Sequence, residues 1–497
     1  MGSMLMRGAR LVGRDGVWDV RVSRGVIRGI DARIRPERGE ETLDLAGRWL
    51  IPGLWDAHVH LMQWAQVARR FDVSPATSAA EAAELVRRYV AQHPERDGVL
   101  VGFGYRAATW PDQPSTEMLD QAAPGRAVVL VSGDLHSGWF STPALHAFER
   151  QPDPSGLVRE EDFLTVASAL DGGSDLQRDA WVREAAAEAA TRGLVGVVDF
   201  ESDDPRRWAT RMTAAEAVED RPEGWAPYPL RVRAAVWPDH LEDVLAAGLR
   251  GRSPLGNALD GRGHPMARLA TLKVLSDGAL NTRTAYCHDP YPGGGFGGLN
   301  YQLAELVELM NRALEADLSC SIHAIGDAAA EQALRAFEAT GATGSIEHAQ
   351  LLSWEDIPRM AALGITASVQ PAHLLDDRDV ADALWPGRGD RAFPLASLVA
   401  AGVPLIFGSD APVSPLDPWL QISAAVTRTG DERAAWGPEQ RLGGEVALAA
   451  ATGRGVRPRV GGRADLAILD VDPLAAPPGT RVAGTLIAGE WTHRAMD

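Results

Sequence analysis

Cysteine is nearly missing from this chain of 497 residues: Cys287 and Cys320 are the whole supply. Two thiols are too few for a disulfide framework or a thiolate metal cluster, and they point to a reducing compartment. Long apolar runs are missing as well, since none approaches the roughly 18 residues of a membrane span. The opening Met1–Arg7 has no apolar core of signal-peptide length. These absences predict a cytoplasmic protein with no membrane partner. Positive charge is in deficit, with 49 Lys plus Arg against 67 Asp plus Glu, and the formal net charge of −18 repels phosphate backbones. Nucleic acid is therefore not an expected partner. Scarcest of all is lysine, for Lys273 is the only one. High-GC coding bias explains the arginine excess, and on composition alone chance explains the surviving lysine as well as chemistry does. A lysine that survives such bias nonetheless offers what guanidinium cannot, an amine able to lose its proton and become a nucleophile.

What is present is ordinary for a folded domain, 45% hydrophobic and 23% charged residues. Between positions 9 and 52 the runs Arg10-Leu11-Val12, Val17 to Val22, Val26 to Ile30 and Trp49 to Ile51 alternate and are punctuated by Gly, predicting a small antiparallel sheet. Ala464 to Leu469 and Val482 to Ile487 are of the same kind, so the two termini are expected to complete one sheet. Between them, apolar runs alternate with Ala-, Glu- and Arg-rich helical stretches, the pattern of βα units around a parallel sheet. The candidate strands are Leu50 to His60, Gly193 to Phe200, Leu230 to Trp237, Ala270 to Leu275, Leu318 to His323, Gly344 to His348, Ile365 to Val369 and Val403 to Gly408. Eight such strands close a (β/α)8 TIM barrel. The first two are about 130 residues apart, too far for a βα connection, so residues 62 to about 185 are expected to be an insertion. Its expected elements are strands at Val99 to Phe103 and Ala127 to Val131 and helices at Ala79 to Gln92 and Asp175 to Arg192.

Candidate chemistry falls at the strand ends. His58 and His60 lie two apart, which in a strand puts both imidazoles on one face. Alone the pair is weak, and each of His323 and His348 alone is more often packed or solvated than ligating. Asp410 alone reads as a helix N-cap. Their spacing changes this: 25 residues from His323 to His348 make one βα unit, 62 from His348 to Asp410 make two, and 50 from Lys273 to His323 make one lengthened by the Gly-rich loop at Tyr291 to Gly298. Strands 1, 4, 5, 6 and 8 would bring His58, His60, Lys273, His323, His348 and Asp410 to the C-terminal face, where barrel active sites form.

Leu50-Ile51-Pro52-Gly53-Leu54-Trp55-Asp56-Ala57-His58-Val59-His60, Leu272-Lys273-Val274-Leu275-Ser276-Asp277-Gly278, His323-Ala324-Ile325-Gly326-Asp327, Ile346-Glu347-His348-Ala349-Gln350 and Gly408-Ser409-Asp410-Ala411-Pro412 together resemble the metal-dependent amidohydrolase superfamily. The branch they resemble includes N-substituted formamide deformylases. The resemblance implies a discontinuous β-sandwich from residues 1–56 and 455–497, a barrel over 57–454, and a centre of two divalent metals, usually zinc. It implies that Lys273 is an N6-carboxylysine bridging them, that His58, His60 and Asp410 hold one metal, and that His323 and His348 hold the other. Carboxylation needs an unprotonated primary amine, which gives the sole lysine a reason. The implied reaction is hydrolysis of an amide-like C–N bond in an N-acyl or N-formyl small molecule by metal-activated hydroxide, with Asp410 as proton shuttle and Lys273 as bridge. Barrels of this type often pair as homodimers.

With less force the resemblance extends to substrate contacts at His136 and Trp139 in the insertion, at Asp277 and Arg283 after strand 4, and at His373 after strand 7. For Asp277 and Arg283 the alternative is an ion pair fixing the loop. Trp55, Trp64, Trp110, Trp139 and Trp385 are candidates for an aromatic pocket wall, with core packing as the competing use. Other activities remain open on the same ligands: ester, lactone or carbamate hydrolysis, or a non-catalytic barrel. A sugar-phosphate isomerase is disfavoured because Gln370-Pro371 and Ala411-Pro412 supply no phosphate loop.

Overall fold

The computed structural model describes residues 3–95, 98–107, 110–133, 135, 137–151, 153–167, 170, 173–213 and 228–496. Eight parallel strands form its central sheet: β1 Leu54–Val59, β2 Leu194–Asp199, β3 Arg231–Val236, β4 Ala267–Leu275, β5 Ser319–Ala324, β6 Gly344–His348, β7 Thr366–Val369 and β8 Leu405–Phe407. They pair in chain order from β1 to β8. A parallel bridge between Val59 and Ala411 joins the two ends, with Asp410 N–H donating to the His58 carbonyl at 2.7 Å and His60 N–H to the Ala411 carbonyl at 2.9 Å. The sheet is thereby a (β/α)8 barrel, as the strand count predicts.

Alternation along the strands decides which side chains enter the barrel. Thr271 Oγ1 on β4, Ser321 Oγ on β5 and Ser345 Oγ on β6 are linked sideways at 3.0 Å each. Small hydroxyls that bond one another fill this inner layer without orphaned polar atoms. Two residues further along the same strands stand Lys273, His323 and Glu347, and the period of two keeps them on the same inner face. The barrel's polar end is thus built on a satisfied floor.

The run Leu50 to His60 is two strands. Trp49–Pro52 pairs antiparallel with Leu466–Leu469 of the C-terminal segment, and only after Gly53 does β1 enter the barrel. A Cβ at Gly53 would lie 2.2 Å from a Val195 methyl, so the chain crosses between sheets where no side chain fits. The terminal segments form a second eight-stranded sheet from Ser3–Leu11, Arg14–Ser23, Val26–Asp31, Glu41–Asp44, Trp49–Pro52, Leu466–Leu469, Gly484–Ile487 and Glu490–Arg494. The expected antiparallel sheet is corrected to a mixed one, because Ser3–Leu11 pairs parallel with Glu41–Asp44 and with Trp49–Pro52. After the antiparallel meander the chain comes back in its starting direction, and a returning strand can only pair parallel with the first. Met6, Val20, Leu50, Leu466, Ile468 and Leu486 share one buried cluster, so both termini build a single core.

Met62–Trp181 is a compact unit of its own. It holds a five-stranded sheet of Phe71–Asp72, Leu100–Tyr105, Val128–Ser132, Ser137–Phe140 and Leu157–Arg159, and the helix Ala79–Gln92, whose N-cap Ser78 accepts from the Glu81 N–H at 3.1 Å. Among the described residues no helix is long and apolar enough to cross a membrane.

Candidate metal centre

The seam between β1 and β8 is the scaffold of the site. Asp56, buried on β1, accepts from the His58 N–H at 3.1 Å and from the Ser409 N–H at 2.9 Å, locking the β8 turn to the strand that carries the histidine pair. Gly408 lets that turn approach, for a Cβ there would sit 2.5 Å from His58 Cβ and 2.6 Å from its backbone nitrogen. Two candidates leave their strands in left-handed backbone, His348 at φ 71° and Asp410 at φ 56°. Non-glycine residues pay for that conformation, and it persists where surrounding structure holds it in place.

All six residues expected at the C-terminal face are found together there. Asp410 Oδ1 lies 3.4 Å from Nε2 of both His58 and His60. Lys273 Nζ is 3.4 Å from His58 Nε2 and stands 4.5 Å above the Phe200 ring. The rings of His58 and His348 are 5.0 Å apart, and those of His323 and His348 4.4 Å. His323 Nε2 bonds the Gly278 carbonyl at 3.2 Å, and a carbonyl partner fixes the proton on that nitrogen, leaving Nδ1 with its lone pair.

Burial and charge set the protonation states. Burial drives the His58 and His348 imidazoles well below their ordinary value, helped by Lys273 beside His58 and by His323 beside His348, so both are neutral. Burial opposes ionisation of Asp410, but the hydrogen bond and charge pairing with His60 hold its carboxyl well below the usual range. Burial also lowers the Lys273 amine, against the pull of Glu347 and Asp410. His60 goes the other way: burial lowers it, yet its hydrogen bond and charge pairing with Asp410, and the charge of Glu201, leave it above its ordinary value. The neutral imidazoles of His58 and His348, an anionic carboxylate and a weakened amine form a donor set suited to divalent cations.

Glu347 is a further functional residue, one that the spacing of the candidate ligands does not single out. It is fully buried, and its Oε2 meets His58 Nδ1 at 2.8 Å while Ser345 Oγ donates to its other oxygen. That contact fixes the His58 tautomer and turns Nε2 toward Asp410 and Lys273. The signal was available in the period of two, which puts Ser345 and Glu347 on one face. Phe200, just past β2, closes the far side with its ring edge-on to His58 at 4.4 Å.

The expected substrate contacts fare differently. His136 lies outside the described residues. Trp139 is wholly buried in the core of the insertion, its indole N–H donating to the Ser115 carbonyl at 3.1 Å and its ring against Trp110. Trp110 and Trp385 are likewise packed inside hydrophobic clusters, which corrects the aromatic wall expected from these three rings. Asp277 has no exposure; it accepts from the N–H groups of Ile325, Gly326 and Tyr286 at 3.1, 2.9 and 2.9 Å and so ties the loops after β4 and β5. The alternative of an ion pair with Arg283 gives way to these backbone bonds; Arg283 is exposed at φ 58°. His373 opens the helix His373–Leu384 and is drawn into the cluster, its Nε2 3.7 Å from Asp410 Oδ2 and its ring near-parallel to that of His348 with centroids 5.9 Å apart.

Comparison with known proteins agrees with this architecture. The chain is 30% identical over 439 residues to the putative amidohydrolase YtcJ of Bacillus subtilis (strain 168), covering 82% of this chain and 80% of that one. It is 25% identical over 488 residues to an N-substituted formamide deformylase of Arthrobacter pascens, covering 88% and 86%. An uncharacterized metal-dependent hydrolase from Pyrococcus furiosus superposes with a TM-score of 0.73 at 25% identity, over 95% of this chain and 100% of that one. Residues 41–493 match the model of the amidohydrolase family, and the chain belongs to that family.

Proposed function

We propose that this protein is a metal-dependent hydrolase of amide-like C–N bonds, acting on N-formyl or N-acyl amines in the cytoplasm. One observation supports the metal requirement most. His348 Nδ1 and His373 Nε2 are buried with no hydrogen-bond partner among the described residues, in a cluster with an ionised carboxylate. Buried polar atoms are normally satisfied, and imidazole lone pairs beside a carboxylate are satisfied by a divalent cation. His58, His60 and Asp410 would hold one cation, His323 and His348 a second, with Lys273 between them as N6-carboxylysine. Zinc suits such nitrogen and oxygen donors. Bound there, two cations would polarise a carbonyl and make water a better nucleophile near neutral pH.

The chain's own groups supply the rest. A neutral Lys273 Nζ forms a bond to the carbon of CO2 and releases one proton, which leaves a carbamate whose single negative charge is shared by two oxygens. Burial favours that step by weakening the amine's hold on its proton. Glu347 keeps His58 in one tautomer. Asp410, ionised and in van der Waals reach of three imidazoles, takes a proton from the attacking water on a carboxylate oxygen and returns it to the departing nitrogen. The amide preference is supported by the name of the Arthrobacter relative.

A matched panel tests the bond type: N-formyl, N-acetyl and aryl amides against esters, lactones and carbamates carrying the same substituents. The amides are expected to give the highest kcat/KM. An ester or lactone turned over faster than its matched amide would reassign the activity.

A further inference from the structure

The Asp410 carboxylate serves two groups of potential donors. On one side are His58 and His60, each 3.4 Å from Oδ1. On the other are His348 and His373, with His373 Nε2 3.7 Å from Oδ2. In each trio one donor atom per residue lies within 4.8 Å of the others, the spread that a single cation can span. The second trio does not contain His323, and it does contain a histidine for which metal ligation was not expected.

We infer that His373 is a ligand of the second cation, together with His348 and the Asp410 carboxylate. The inference rests on the proposed metal-dependent function and adds a residue to it. Three features carry it. His373 is buried, and its Nε2 has no hydrogen-bond partner among the described residues while it faces the carboxylate. The ring planes of His348 and His373 are 19° from parallel at 5.9 Å, too far apart for their ring faces to be in contact and wide enough for an ion to reach a nitrogen on each. The ring is also held in place, because the helix it opens is anchored by the Ala372 N–H donating to Gln421 at 2.9 Å and by buried Leu374. A substrate-contacting histidine at a pocket rim would instead be free to bond water through Nε2. With His373 included, the second cation has a protein donor from the β7 end of the barrel, and Asp410 becomes a carboxylate shared by both ions.

Cobalt(II) titration of the metal-free protein distinguishes the outcomes, read as bound equivalents and as the visible absorption of the ion. Wild type is expected to take two equivalents. His373→Ala should keep the first and bind the second at least about 100-fold more weakly, a loss no smaller than that seen when an outer partner of a metal ligand is removed. Because losing a buried imidazole can disturb its helix, His373→Cys provides a second reading: it should regain the second equivalent and show a thiolate-to-cobalt charge-transfer band. Two equivalents of unchanged affinity in His373→Ala, or a folded His373→Cys without that band, would overturn the inference while leaving the metal-dependent function intact. A wild-type protein that binds no cobalt would overturn both.

Discussion

Lys273→Arg is expected to fold and to lose most of its bound metal and nearly all hydrolytic activity. The residue is 2% exposed, with Nζ between His58 and the Phe200 ring. Arginine keeps the positive charge, so a lysine serving only as a cation beside Glu347 and Asp410 would be replaced with modest effect. It cannot become a carbamate, because guanidinium does not give up its proton in proteins. It also places a permanent charge where cations should sit. If loss of the metals removes about 4 kcal/mol of transition-state stabilisation, the rate falls by about 10³-fold. Metal analysis and turnover on the same preparation, with circular dichroism to establish folding, provide the check. Wild-type turnover in the arginine variant would remove the bridging role.

Asp410→Asn carries the second large effect. The amide has the size of the carboxylate and retains one acceptor oxygen, so the β8 turn, held by backbone bonds to His58 and by Asp56, should keep its shape. What it lacks is the capacity to take and return a proton, a contribution of about 10²- to 10⁴-fold in most enzymes that use it. The expected result is a fall of that size in kcat on protein shown to retain metal, with a smaller change in KM. A decrease of less than about threefold in kcat would assign proton transfer to another group and leave Asp410 a ligand only.

Much of the architecture could be read from local pattern. Apolar runs of strand length separated by Ala-rich helical stretches marked all the barrel strands, because a parallel sheet buried on both faces needs continuous apolar sequence. The pattern failed where the chain changes sheets. Leu50 to His60 is one apolar run, and only the close approach of Val195 to Gly53 shows where the terminal sheet ends and the barrel begins. Glu41–Asp44 passed unseen because only Leu43 of its four residues is buried, which leaves no alternation to detect.

The site was legible to the extent that strand ends converge. His58, His60, Lys273, His323, His348 and Asp410 come together because barrel geometry brings the C-terminal ends of all strands to one face. The period of two places Glu347 on the inner face and strand order places His373 after β7, but the roles of both depend on contacts between distant elements that spacing does not encode. Glu347 matters through His58, which lies 289 residues away in sequence. Trp139 illustrates the opposite error: its indole N–H needed a partner inside the insertion core, found one in Ser115, and the ring is packed away there.

The central claim is that hydrolysis by this protein depends on cations held in the His and Asp cluster. Its most direct test is the rate of N-formyl amine hydrolysis before chelation, after removal of metal, and after zinc is added back. Activity is expected to be lost on removal and to recover with about two equivalents of zinc. Full activity in protein shown to be metal-free would contradict that claim.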